Sequence, residues 1–299
     1  MQAHNANRKS FTLPLEISEE EAPLADLELL LDGLELVVPF DYEKLVVSTR
    51  LSGEVFAIQR LLAMSRLGIP ITVFWASAIS QRLSEIARLQ PLLAVVLMLQ
   101  GANHKFDGFE ASQAEQMLTL ARNGVLKHRL IKDLFSPSQL LLCADSRGHG
   151  RPDQLYLSQV GGLRPRSHFE TLVQEVLATE LKATGDTAKT FTWSGNLGVV
   201  VAELFENTDI HAMTDLNGAR FSTNAMRGLM FKRIQLPVLL RNSDHKLKEV
   251  LKDCLEISVF DTGIGYYRSL TRSQEKPAIE YEWSVLHKCL ERHFERGPI

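Results

Sequence analysis

Residues 255–265 read Leu255-Glu256-Ile257-Ser258-Val259-Phe260-Asp261-Thr262-Gly263-Ile264-Gly265. Leu255, Ile257 and Val259 alternate with Glu256 and Ser258, the period-two pattern of a strand with one buried face. The strand runs into Asp261-Thr262-Gly263-Ile264-Gly265. Gly263 and Gly265 carry no Cβ, so the backbone there can turn sharply and approach a ligand closely. An aspartate at the strand end can accept a hydrogen bond from an amino group. An ordinary tight turn is the competing reading.

Upstream, residues 197–212 read Leu-Gly-Val-Val-Val-Ala-Glu-Leu-Phe-Glu-Asn-Thr-Asp-Ile-His-Ala. Leu197, Val201, Leu204, Phe205, Thr208 and Ala212 form an apolar stripe at helical spacing. Glu203 and Asn207 are four apart and stack one turn above the other on a different face. A carboxylate and an amide placed together suit a magnesium and water site, because hard cations prefer oxygen ligands. Taken alone, such a pair is more often a solvated helix face.

Together the two stretches resemble the GHKL ATPases: gyrase, the heat-shock chaperone of that class, sensor histidine kinases and the mismatch-repair protein MutL. Glu203-Leu204-Phe205-Glu206-Asn207 looks like the N box, E-L-x-x-N, and Asp261-Thr262-Gly263-Ile264-Gly265 looks like the G1 box, D-x-G-x-G. The resemblance covers roughly residues 165–299. It implies an ATP-binding α/β two-layer sandwich of the Bergerat type. By resemblance Asp261 would take the adenine amino group, with Gly263 and Gly265 giving the base room. Asn207 would coordinate Mg²⁺, and Glu203 would act as general base on the attacking water. The family's second glycine-rich segment, which follows the lid, is missing before Ile299, and a chain cut short before that box is the expectation.

The 299 residues suffice for two domains, and 45% hydrophobic with 23% charged content is ordinary for a globular protein. The formal net charge of −3 gives no global field for nucleic acid or an anionic membrane. The apolar run at residues 92–99 is too short to span a bilayer. Cys143, Cys254 and Cys289 are widely spaced and odd in number, which fits reduced thiols in a cytoplasmic protein better than a disulfide frame or a zinc site.

In chain order, residues 1–24 read as a loose arm, and residues 27–31 as the start of a helix. Strands are expected at residues 34–40, 44–51, 71–75, 92–99, 140–143 and 155–160. Helices are expected from Ser52 to Leu67, over 77–89, and over 111–123 with a stop at Gly124. His104 and Asp107 fall in a loop. The alternation predicts an α/β layer with a partly parallel sheet over residues 25–160, serving sensing, docking or dimerisation. Ser167 and Glu170 form a capping box opening a helix that buries Phe169, Leu172, Val173, Val176, Leu177 and Leu181, and His168 reads as part of that helix start. Residues 161–299 then form the GHKL-like unit. Within it a helix is expected over 224–231, a charged surface over 246–253, a basic lid after Gly265 and a helix over 279–294.

The resulting expectation is a Mg²⁺-dependent, ATP-hydrolysing conformational switch that binds ATP and ADP, with a protein partner and a homodimer as its assemblies. A histidine or serine protein kinase of the sensor-kinase or anti-sigma type, and a non-catalytic interaction module retaining the fold, are the alternatives.

Overall fold

A computed structural model describes residues 9–12, 34–38, 53–66, 68–76, 82–83, 90–99, 101–126, 138–144, 150–158, 161–181, 187–211, 226–241 and 247–263. The described residues form a mixed α/β structure with two sheets. Strands β1 (Lys9–Thr12), β2 (Leu34–Val38), β3 (Ile71–Trp75) and β4 (Asn103–Phe106) make a four-stranded sheet in that order, every neighbouring pair parallel. Strands β5 (Ser138–Ala144), β6 (Met226–Arg241) and β7 (Leu247–Asp261) make an antiparallel sheet, with β6 in the middle. The helices are α1 (Gly53–Arg66), α2 (Pro91–Met98), α3 (Ala111–Leu126), α4 (Arg166–Leu181) and α5 (Thr187–His211).

Alternation along the antiparallel sheet divides the core in two. Leu140, Leu142, Ala144, Met230 and Phe260 join a cluster with α1, α2, α3 and the parallel sheet. Leu141, Cys143, Leu229 and Phe231 face the other way and pack with Phe169, Val173, Val201 and Phe205 of α4 and α5. Helices α1 to α3 therefore lie between the two sheets, and α4 and α5 cover the far face. Strand β5, which falls within the 25–160 segment, is hydrogen-bonded into the second sheet.

Several local expectations are met. Residues 71–75 are a strand, 140–143 lie in β5, and the long helix through residues 197–211 is present. Gly68 adopts φ 72°, the left-handed turn that follows α1.

Others are corrected. Residues 92–99, read as a strand, lie almost wholly in helix α2, whose every residue is buried. An apolar run without alternation fits a buried helix as well as a buried strand, and Pro91 at the first turn starts the helix. Residues 226–231 are part of β6, and 247–253 part of β7. His104 lies in β4, not in a loop. Helix α3 continues through Gly124 to Leu126. Residues 155–157 form a turn with a single bridge, Tyr156 to Leu163. Ser167 is the second residue of α4, and the His168 N–H donates to the Pro165 carbonyl, so Ser167 is not the cap. Leu204, assigned to the buried stripe, is exposed, while Val201, Phe205 and Thr208 are buried. Glu256, on the presumed solvent face of β7, is buried because α1 to α3 cover that face, and it accepts a hydrogen bond from Ser258 Oγ at 2.8 Å. Residues 9–12, within the loose arm expected over 1–24, are strand β1, paired with β2. The expectations for residues 1–8, 13–24, 27–31, 39–40, 44–51, most of 77–89, 159–160, Ala212, Gly265, Cys289 and the lid and helix beyond Gly263 lie outside the described residues.

Candidate functional site

Helix α5 carries Glu203 and Asn207. It is held to the sheet by Val201, Phe205 and Thr208, spaced four and three apart, and the Thr208 hydroxyl closes on the Phe205 carbonyl at 2.7 Å. Against α4 it approaches closely at Gly198. A Cβ there would lie 2.4 Å from the Glu170 Cα, so only glycine permits this crossing.

Glu203 and Asn207 are both partly exposed and lie on the side of α5 turned away from Phe205. Glu203 is ion-paired to Arg166 at the start of α4, and the same guanidinium lies 4.0 Å from Glu206. Arg166 is itself half-exposed, so this pair adds little to stability.

Asp261 ends β7. Its Oδ1 accepts the Gly263 N–H at 2.6 Å, an aspartate turn in which the side chain takes the place of a backbone acceptor. Thr262 is buried and clips the turn to β6: its N–H donates to the Met226 carbonyl at 2.9 Å, and its hydroxyl accepts the Met226 N–H at 3.2 Å. The Gly263 N–H thus fixes the carboxylate, and two hydrogen bonds through Thr262 fix the turn that carries it to β6.

The contact joining α5 to this strand end runs through residues the sequence reading passed over. Arg227 of β6 is the cross-strand partner of Asp261 and is buried. Its Nη2 reaches Asp209 Oδ1 of α5 at 2.5 Å, and its Nε donates to the Tyr156 hydroxyl at 2.9 Å. The Tyr156 hydroxyl donates in turn to Asp209 Oδ1 at 2.7 Å. Arg151 lies over the Tyr156 ring at 4.9 Å, and Phe205 meets its edge. Burial pushes the Tyr156 phenol well above its ordinary pKa; Cys143 and Asp209 add to this, and Arg227 opposes it. The phenol is therefore a neutral donor, as the bond to Asp209 requires. The structure joins Arg227, Asp209 and Tyr156 in one hydrogen-bonded network, with Asp261 at the register position opposite Arg227, whereas Glu203 and Asn207 stand on the opposite side of the same helix. The available signal was Arg227, the one cation in the apolar run 226–231.

Comparison with known protein families, with curated proteins and with solved structures yields no match to this chain. The site must be read from its own geometry. Among the described residues no cluster of three or more His, Cys, Asp or Glu side chains is placed to hold a metal ion. No helix among them is long and apolar enough to cross a membrane. Neither Cys143 nor Cys254 is in a disulfide. His168 is half-buried, and burial together with the Arg164 cation lowers its pKa.

Proposed function

We propose that the second half of the chain is an ATP-binding unit of the GHKL type, working with Mg²⁺ as a nucleotide-driven switch. The observation that carries the reading is the placement of Asp261. It closes β7 in a turn with Gly263 and lies cross-strand from Arg227, which holds the N-box-like helix α5 through Asp209.

Taken one by one, the residues carry the donors that the implied groups need, with Glu203 and Asn207 on the side of α5 turned away from Asp209 and Arg227. Asp261 keeps a fixed carboxylate at an accessible strand end, as recognition of an adenine amino group needs. Asn207 offers an amide oxygen and Glu203 a carboxylate one helical turn away, a donor set for a hard cation that retains waters. Magnesium held there would offset phosphate charge. Arg166, half-exposed beside Glu203, is a cation able to exchange its carboxylate partner for a phosphate oxygen, which would release Glu203 to take a proton from water. Glu203 is the proposed general base, and Asp261, Gly263 and Gly265 are the proposed base-binding residues.

A second reading, an interaction module without catalysis, is favoured by one observation. Val200, Leu204 and Ile210 are exposed on α5 beside Glu203 and Asn207. Calorimetry with ATP and Mg²⁺ separates the two: saturable heat supports the nucleotide reading, and its absence in the full-length protein leaves the interaction module. Transfer of the γ-phosphate to a protein side chain instead of water would mark the kinase alternative.

A further inference from the structure

The last nine residue pairs of the β6–β7 ladder, from Arg233 opposite Leu255 to Arg241 opposite Leu247, lie beyond the pair Ser138 and Lys232, where β5 stops. At about 3.4 Å per residue this two-stranded arm is roughly 30 Å long. A ribbon of two strands is marginal in water unless something packs on it. Leu229 and Phe231 face α4 and α5, so the odd positions of β6 beyond them, with their cross-strand partners, continue that face. Leu255 still packs against the α4–α5 cluster. Past it the face is bare: Pro237, Leu239 and Leu251 are exposed, the two leucines by 62% and 56%. On the opposite face Ile234 is buried, and Leu236, Val238 and Val250 are half-buried.

The outer edge of β6 beyond Lys232 is closed to another strand. The Met226 carbonyl accepts the Thr262 N–H, so in this unbroken register the even residues of β6 turn their backbone groups toward β7 and the odd ones turn them away. Pro237 is odd, and an added strand would find no N–H there. The bare face, not this edge, is what a partner can grip. A second exposed apolar surface lies on the same side of the sheet. It is the outward face of α5, where Val199, Val200, Leu204 and Ile210 are exposed.

Area decides how two copies can use these surfaces. Strands about 4.8 Å apart make an arm roughly 10 Å wide, so one face offers about 300 Å². Arm against arm would bury about 600 Å² in all, short of the roughly 1,200 Å² of a specific interface. An arm on the partner's α5 makes such a contact twice and reaches about 1,200 Å². The shapes agree. Helices α4 and α5 stand one helix diameter, about 10 Å, above the sheet, and the bare arm beside them leaves a step. A copy turned about a two-fold axis fills that step with its own.

We propose that two copies of this chain form a closed dimer, the Pro237, Leu239 and Leu251 face of each arm lying on the Val200 and Leu204 face of the other's α5. Glu203 and Asn207 share that face of α5, so the docked arm and a nucleotide held there exclude one another. The test is therefore run without nucleotide, where its failure leaves the nucleotide reading untouched.

Sedimentation velocity on the full chain, over a concentration series, reads the dimer. The series is run at physiological ionic strength or above, because salt screens Glu249 of the arm from Glu203 of α5. The expected result is a reversible dimer that Leu251→Glu and Val200→Glu each weaken about tenfold or more, since either places a charge in both contacts. Leu120→Glu is the control: it is 70% exposed on α3, across the antiparallel sheet from α5, and should leave the dimer unchanged. All three sites face solvent, so each variant keeps the parental circular dichroism. A chain that stays monomeric overturns the proposal. So does a dimer unmoved by Leu251→Glu or by Val200→Glu, or one weakened equally by Leu120→Glu. Growth into an open ladder of oligomers overturns the closed two-fold arrangement.

Discussion

Arg227 of β6 and Asp261 of β7 face each other across the sheet, and Arg227 is also the residue through which β6 grips α5. A buried guanidinium with partners on α5 and on the 150–158 segment ties the strand end, the helix and that segment into one unit. Replacing Arg227 by Met should cost about 3–5 kcal/mol, towards the lower end because Asp209 keeps some contact with water. Arg227→Lys should recover little, since one ammonium cannot supply both the Nε and the Nη2 bonds. Chemical denaturation checks this; full recovery by lysine would show that charge alone matters.

Asp261→Asn should weaken adenine-nucleotide binding by about 1.5–3 kcal/mol while the fold stands. The fold survives because an asparagine oxygen can still accept the Gly263 N–H. Calorimetry reads the loss, and unchanged ATP affinity would sink the adenine role.

Asn207→Ala should reduce nucleotide binding in Mg²⁺ more than in a chelator. Equal losses under both conditions would make the residue structural. Glu203→Gln should leave binding near the parental value and lower hydrolysis by roughly 10²–10⁴-fold. Glu206→Gln, on the same half-exposed helix face, is the control. Hydrolysis at the parental rate in Glu203→Gln would remove the general-base assignment.

Stability should fall with rising alkalinity through Tyr156. Its folded pKa is raised, so the folded state favours the neutral phenol. The contribution is complete below the unfolded value near 10 and is lost as pH rises through the folded value. Denaturation midpoints between pH 8 and 11 should therefore drop more steeply for the parent than for Tyr156→Phe, and parallel curves would refute the linkage.

Gly198→Ala should destabilise the protein, although alanine is the better helix former by about 1 kcal/mol. The added methyl meets the Glu170 backbone at 2.4 Å, and backbone cannot move aside as a side-chain tip can. Overpacking of this kind costs about 1–3 kcal/mol. A higher melting temperature would contradict the close crossing.

The parts of the fold legible in the sequence were those with a single strong period. The alternation at 255–259 and the spacing of Val201, Phe205 and Thr208 each specify one conformation. Residues 92–99 carry no period, so strand and helix could not be separated without Pro91 being weighed as a helix start. Residues 226–241 and 247–253 were hidden because a paired ribbon mixes charged and apolar positions on both faces. In the candidate site the strand-end aspartate was legible, but the network around it was not. Tyr156, Asp209 and Arg227 come from three distant segments, and only the sheet register brings them together.

Helix α2 has no charged residue of its own, yet both its ends are fastened by charged side chains from elsewhere. Glu54 of α1 accepts the Leu92 N–H at 3.1 Å, and its other oxygen takes the Lys232 ammonium of β6 at 2.5 Å. At the opposite end Arg122 of α3 holds the Leu97 carbonyl. An eight-residue helix buried on all sides and pinned at both tips is a spacer, roughly 12 Å long, between α3 and the contact with the central strand of the antiparallel sheet. Arg122, the buried helix, Glu54 and Lys232 thus form one unbroken run of contacts from α3 to the middle strand of the other sheet.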